Sequence, residues 1–212
     1  MTLNYALLQM STAVFAVTGV LAAVRQNMDV MSFVIIGVVT AIGGGTLRDV
    51  FLDVPVFWLA DPAYLLVAAS AAVATFFFER RFRATYSALL YLDAVATAVF
   101  AVLAIEKTLG LGFNPIVAVV MGVITGIGGG LIRDLLTGQP TLLLRRELYM
   151  TPLLIGGMLH ATVLAFGVAG EKVAALLAIA AIAFVRLGAI RWGWAFPDWL
   201  TYKPRREQVP RK

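Results

Sequence analysis

The sequence predicts an all-α integral membrane protein: seven transmembrane helices, built as two inverted three-helix repeats followed by a seventh helix. Three observations carry this. With 61% apolar and 14% charged residues and a mean hydropathy of +0.90, the chain holds more hydrophobic material than one soluble core of its length buries. Windows of about 20 apolar residues, enough to cross a hydrocarbon core of about 30 Å, can be placed seven times. A ten-residue phrase occurs twice, as Thr40-Ala-Ile-Gly-Gly-Gly-Thr-Leu-Arg-Asp49 and Thr125-Gly-Ile-Gly-Gly-Gly-Leu-Ile-Arg-Asp134, with seven of ten positions identical and an offset of 85 residues.

The first span, Leu3 to Val24, starts without a basic segment or a small-residue cleavage site, so insertion is expected to rely on the spans themselves. The second, Val30 to Leu52, carries the first glycine phrase, and the third runs from Pro62 to Phe78. The fourth, Ala84 to Ile105, holds Asp93 near its middle, and the fifth, Asn114 to Leu136, carries the second phrase. The sixth, Leu148 to Ala169, contains the sole histidine, His160, and the seventh runs from Val173 to Ile190. The 85-residue offset extends past the glycines: Ala13-Val-Phe-Ala-Val17 matches Ala98-Val-Phe-Ala-Val102, Gly37 falls on Gly122, Pro55 on Pro140 and Tyr64 on Tyr149. Spans one to three therefore repeat as four to six. An odd number of crossings per unit makes the second copy enter from the opposite side, as in many transport proteins. The organisation expected is residues 1–83 and 84–170 as the two repeats, 171–194 as the seventh helix and 195–212 as a basic tail.

Loop charge sets the orientation, because cytoplasmic loops accumulate lysine and arginine. With the N-terminus outside, 12 of the 17 basic residues fall inside: Arg25, Arg80, Arg81, Arg83, Arg145, Arg146 and six from Arg191 to Lys212. Only Lys107 and Lys172 fall outside, and Arg48, Arg133 and Arg186 lie within spans. An N-out, C-in protein of the prokaryotic inner membrane is expected. The net charge of +5 marks loops beside a membrane, with anionic lipid at the cytoplasmic face as a partner, and nucleic acid is not expected as one. Trp192, Trp194, Trp199 and Tyr202 read as an interfacial belt on that side. There are no cysteines, and HExxH, G-x-S-x-G and P-loop signatures are missing, so neither an enzyme nor a cofactor is expected.

Irregular backbone at membrane depth survives only where protein or water satisfies it. Gly43, Gly44, Gly45 and Gly128, Gly129, Gly130 are therefore expected to break or kink their helices near the midplane, where loosened carbonyls can meet a cation. The competing reading is close packing, of which Gly122-Val-Ile-Thr-Gly126 is a small-xxx-small example. Beside the glycines stand Arg48, Asp49, Arg133 and Asp134. Neighbouring positions on a helix point about 100° apart, so each arginine is expected to find its partner on another span or in water rather than on the adjacent aspartate. Asp93 is the deepest formal charge, and its repeat equivalent is the apolar Leu8. It is expected to attract a cation or to counter an arginine, with Arg133 within reach. Thr40 and Thr125 offer hydroxyl oxygens to a passing ion. His160 has no second ligand nearby in sequence and reads as a packed or hydrogen-bonded side chain, not a metal site.

The paired GGGxxRD phrases at Gly43 to Asp49 and Gly128 to Asp134, in a 3+3 repeat with a seventh span, resemble the prokaryotic trimeric intracellular cation (TRIC) channels. Bacterial YicG-like members of the same sequence family are also labelled glycine transporters. The resemblance covers the chain up to about Trp194. It implies a homotrimer with one pore per protomer, lined around kinked second and fifth spans and conducting potassium and sodium. Carried over by motif, the six glycines mark the pore kinks and Arg48, Asp49, Arg133 and Asp134 adjoin them. Animal members place a lysine motif at the second glycine run and bind a phosphoinositide there; this chain has Gly128-Gly-Gly130 instead. The alternative that the resemblance carries is a secondary transporter of a small solute such as glycine.

Overall fold

The structure, a computed structural model, describes residues 3–24, 26, 28–82, 86–144 and 148–197. In order it forms α1 (Leu3–Ala23), α2 (Val30–Phe51), α3 (Phe57–Ala60), α4 (Ala63–Phe82), α5 (Tyr86–Gly110), α6 (Pro115–Leu136), a 3₁₀ turn (Leu142–Leu144), α7 (Thr151–Ala165) and α8 (Glu171–Trp192). Five of them, α1, α2, α5, α6 and α8, are long and apolar enough to cross a membrane, whereas α4 and α7 carry the shorter apolar stretches Ala63–Phe78 and Thr151–Ala165. The chain is thus an all-helical membrane protein. Arg25, Arg83, Arg145, Arg146, Trp199, Tyr202 and the basic tail lie outside the described residues, so the orientation argument stays with the sequence.

Local chemistry starts and stops these helices. Asp29, in extended conformation, accepts the Ser32 backbone N–H at 2.8 Å and opens α2. That hydrogen bond holds the Asp29 carboxyl below its ordinary value. Asn114 accepts the Ile116 N–H at 2.9 Å, with Pro115 in the first turn, and opens α6. Gly193, at φ 68°, turns the chain out of α8.

The repeat is visible as register. Helices α2 and α6 are displaced by 85 residues at both ends, and the 3₁₀ turn begins 85 residues after α3. The sequence reading placed only connectors there, so these short re-entry elements are an addition. Helix α5 lies innermost, packed against α1, α6 and α8 through small residues such as Ala94, Ala98 and Ala101. It extends to Gly110, past the expected end at Ile105.

Where α2 crosses α6, a methyl group placed on Gly44 would collide with the carbonyl oxygen of Thr125, and one on Gly129 would collide with that of Thr40. The two contacts exchange under the 85-residue offset. As numbers fall from 44 to 40 on one helix they rise from 125 to 129 on the other, so the crossing is antiparallel with a local twofold axis through it. Phe15 and Phe100, repeat mates, meet edge to face across that axis with ring centroids 5.1 Å apart. Both glycine helices run unbroken through their triplets. The expected break is replaced by close approach: without side chains the two backbones touch, and helical hydrogen bonding continues. Gly122 does the same toward α5, where a methyl group would lie 2.6 Å from Ile105 Cγ1.

Gly44→Ala and Gly129→Ala therefore force backbone carbonyls apart and are expected to destabilise the protein by about 1–3 kcal/mol each. Gly43→Ala meets only the end of the Ile132 side chain, at 2.8 Å, and is expected to cost less. Thermal unfolding of the three variants in one detergent checks the order; equal losses would remove the role assigned to the crossing.

Candidate functional site

Each glycine helix ends in an Arg-Asp pair, and the two pairs are built on one plan. Arg48 Nε donates to Asp49 Oδ1 at 2.8 Å, and Arg133 Nε donates to Asp134 Oδ1 at 2.9 Å. This corrects the expectation that adjacent positions do not pair. Cβ directions do diverge, but an arginine side chain is long enough to curl back along its own helix and present its fork to the next residue. Each aspartate also receives the chain as it returns: Phe57 N–H donates to Asp49 Oδ2 at 2.9 Å, and Leu142 N–H to Asp134 Oδ2 at 3.0 Å. The phrase therefore ties the end of each glycine helix to the short element that follows it.

Around this shared plan the two ends differ. Arg133, fully buried, donates from Nη1 to Asp93 Oδ1 at 2.9 Å and to the Thr18 hydroxyl at 3.1 Å. The pairing with Asp93 is the partner expected from the sequence. Asp93 takes a second arginine as well: Arg186 Nη2 on α8 donates to its Oδ2 at 3.1 Å. The Arg186 guanidinium lies over the Tyr149 ring, 4.3 Å from its centroid. Two guanidinium and two carboxylate groups thus balance inside a solvent-free cluster, which makes their burial tolerable. Gly130 leaves room for it, since a methyl group there would lie 2.9 Å from the Tyr149 hydroxyl and 3.3 Å from Asp93 Oδ1.

At the other end Leu8 stands where Asp93 would be, and among the described residues there is no counterpart of Arg186. Asp49 Oδ1 is shared by Arg48 and by Lys107 Nζ, 2.7 Å away and one-third exposed. Two cations share one carboxylate there, with Glu106 and Glu171 close by on the same cavity wall. The space is a cavity of about 550 Å³, lined in part by Leu8, Arg48, Phe57, Tyr64, Glu106 and Lys107. It reaches the end of the bundle where Asn4, Glu171 and Lys172 are exposed. The ring over Gly45 is Phe57, 2.6 Å from where a methyl group would sit, so the two triplets face different surroundings.

The predicted residues therefore assemble into three places. Gly44, Gly128 and Gly129 lie in the crossing itself, and Gly43 faces Ile132. Arg133, Asp134, Asp93 and Gly130 form the sealed cluster, and Arg48, Asp49 and Gly45 border the cavity. Thr40 and Thr125 are buried, and their hydroxyls donate to the carbonyls of Ile36 and Met121 at 2.6 and 2.7 Å. What they bring to the crossing is their own carbonyls. The sequence reading gave no role to Lys107, Arg186 or Tyr149. Arg186 had a signal, a lone arginine inside a span, which asks for a partner.

Removing the Asp93 charge leaves buried Arg186 without a carboxylate and Arg133 with Asp134 alone, so Asp93→Asn is expected to cost about 3–5 kcal/mol. Lys107→Ala removes a partly exposed partner of a carboxylate that keeps Arg48, and is expected to cost less than about 1.5 kcal/mol. Chemical or thermal unfolding of both variants checks the contrast; if Asp93→Asn is as mild as Lys107→Ala, the sealed cluster is not an ion-pair core.

Comparison with known proteins places this geometry in context. The family model described as "Glycine transporter" matches the chain twice, over residues 5–80 and 90–165, once per repeat. The UPF0126 inner membrane protein YadS of Escherichia coli K12 is 43% identical over 188 residues, covering 88% of this chain and 91% of that protein. The structure of the TRIC trimeric intracellular cation channel orthologue from Rhodobacter sphaeroides matches with a TM-score of 0.87 and 42% identity, covering 92% of this chain and all of that one. A second TRIC cation channel structure matches with a TM-score of 0.82 and 31% identity, over 92% of this chain and 97% of that chain. The chain belongs to the glycine transporter family of UPF0126 membrane proteins, whose fold is that of the prokaryotic TRIC channels.

Proposed function

We propose that the protein is a channel for monovalent cations, potassium and sodium, with one pore in each protomer of a homotrimer, running alongside the α2–α6 crossing. The observation that carries this reading is the likeness, at 42% identity over 92% of the chain, to a structure described as a trimeric intracellular cation channel. The surroundings fit. In this reading α4 and α7 complete seven spans, the N-terminus lies outside and the basic tail meets anionic lipid inside. The two family-model matches support repeats at 1–83 and 84–170. The cavity beside Arg48 and Asp49 serves as the outer vestibule, and the cluster of Asp93, Arg133, Asp134 and Arg186 closes the inner side. Opening separates that cluster while the glycine triplets, lacking side chains, let α2 and α6 bend and slide at the crossing. A chain of this kind has no enzymatic chemistry to perform.

The second reading is a carrier for a small zwitterion such as glycine. It is favoured by the family description and by the mixture of Lys107, Lys172, Glu106 and Glu171 around the cavity, which offers both signs of charge to one small solute.

Throughput separates the two. Purified protein in planar bilayers is expected to give unitary potassium and sodium currents, and glycine uptake into proteoliposomes is expected to show no saturation; saturable, coupled glycine uptake without current steps would replace the channel by the carrier. Lys172→Gln is expected to raise inward potassium current by about 1.5- to 2-fold at low salt, with the gain vanishing near 1 M as screening takes over. A gain independent of salt would separate Lys172 from the ion path.

A further inference from the structure

Beside the vestibule lies a second cavity of about 200 Å³, lined by Glu106, Leu109, Gly110, His160, Leu164 and Glu171. It gathers an imidazole from α7 and two carboxylates from α5 and α8. Several described residues have one buried polar side-chain atom without a hydrogen-bond partner, and His160 alone has two. Its side chain is fully buried, yet neither ring nitrogen has a hydrogen-bond partner. A buried polar group left so forfeits solvation with nothing in return. The nearest acceptor, Glu106 Oε1, stands 4.0 Å from His160 Nε2, beyond hydrogen-bond reach. The other oxygen, Glu106 Oε2, accepts the Asn4 amide at 3.1 Å, which fixes the carboxylate with Oε1 toward the histidine. Glu171 sits in the exposed first turn of α8 and borders the same cavity.

A gap of 4.0 Å between a ring nitrogen and a carboxylate oxygen is too wide for a hydrogen bond, and two donors about 2.0–2.2 Å from a tetrahedral ion stand roughly 3.3–3.6 Å apart, so a small inward shift of Glu106 seats one. One imidazole with carboxylates and no thiolate is a donor set for borderline divalent ions rather than for calcium or magnesium. We propose that His160, Glu106 and Glu171 form a binding site for a divalent transition-metal ion, of which zinc is the probe, at the end of the bundle that carries Arg48. No group of three candidate ligands stands ready for a metal among the described residues, so the site closes on binding, with Glu171 drawn in from the surface. Lys172, next to Glu171, and Lys107, next to Glu106, oppose a cation and hold the affinity in the micromolar range.

Glu106 and Glu171 also line the larger cavity. A bound zinc ion adds two positive charges to that wall and takes up both carboxylates, so it opposes cation entry. Inhibition rests on the channel reading; binding does not.

Calorimetric titration of the full chain in detergent tests the site, with potassium flux in proteoliposomes in parallel. The expected result is one zinc ion per chain, no saturable calcium binding, and an affinity lowered about tenfold or more by His160→Gln. Glu171→Gln, at an exposed position that cannot unfold the protein, is expected to weaken binding severalfold. Absence of saturable zinc binding at about 100 µM, or His160→Gln and Glu171→Gln binding zinc as the parent does, overturns the site. Zinc is expected to inhibit flux in the parent and not in His160→Gln. Zinc bound through His160 without inhibition overturns the link to the vestibule, and zinc bound by a parent that conducts no potassium overturns the channel reading while the metal site stands.

Discussion

Two carbonyl oxygens set the architecture. Those of Thr40 and Thr125 occupy the volume in which Gly129 and Gly44 would carry side chains, and nothing larger than hydrogen lets α2 and α6 cross so closely. In a bilayer this matters more than in water, because lipid tails solvate a leucine as well as another helix does and association depends on intimate packing. The reciprocity of the contact also fixes symmetry. Gly44 meets Thr125 and Gly129 meets Thr40, so both halves of the chain cross about one axis. Phe15 and Phe100 meet on it, and each Arg-Asp pair is carried to its own end of the bundle.

That symmetry is broken by a single position more than by any other. Residues 8 and 93 are repeat equivalents, leucine in one half and aspartate in the other. With the carboxylate present, Arg133 and Arg186 are drawn into a cluster where every charge has an opposite. With leucine present, Arg48 leans on Asp49 alone and shares it with Lys107. An apolar side chain cannot recruit a cation, so the space beside Arg48 stays a cavity while its counterpart is filled by guanidinium groups. One end is thus sealed by paired charges, and the other is roomy and lined by charges of both signs.

Much of this was legible in the residues. The glycine phrase and its 85-residue offset announced the repeat, and the antiparallel crossing follows from an odd number of spans. Asp93 and Arg133 were found as partners because a charge in an apolar span must have one. Other features were not legible. Helical geometry says where Cβ points, and the guanidinium of Arg48 lies several bonds beyond it, which is why the pairing with Asp49 escaped. The unbroken course of α2 and α6 escaped because glycine permits both a break and a close approach, and only the neighbouring helix decides between them. His160 looked isolated because its carboxylate neighbours are supplied by α5 and α8, far away in sequence. Re-entry elements as short as Phe57–Ala60 carry too few residues for any periodicity to show.

The Arg-Asp pair explains why charge was placed beside the glycines at all. Asp49 and Asp134 each hold the arginine of their own helix with one oxygen and the backbone N–H of a returning segment with the other. A carboxylate used at both oxygens is a rigid connector, since rotating it to relieve one bond breaks the other. Movement of α2 or α6 at the crossing must therefore be passed to Phe57 or Leu142, and through the arginine to whatever shares it: Lys107 at one end, Asp93 and Arg186 at the other. The glycines set how closely the two helices cross, and the Arg-Asp pairs tie each helix to the segment that follows it. Neither half of the phrase is sufficient for that coupling, which gives a physical reason for finding Gly-Gly-Gly and Arg-Asp three residues apart in both repeats.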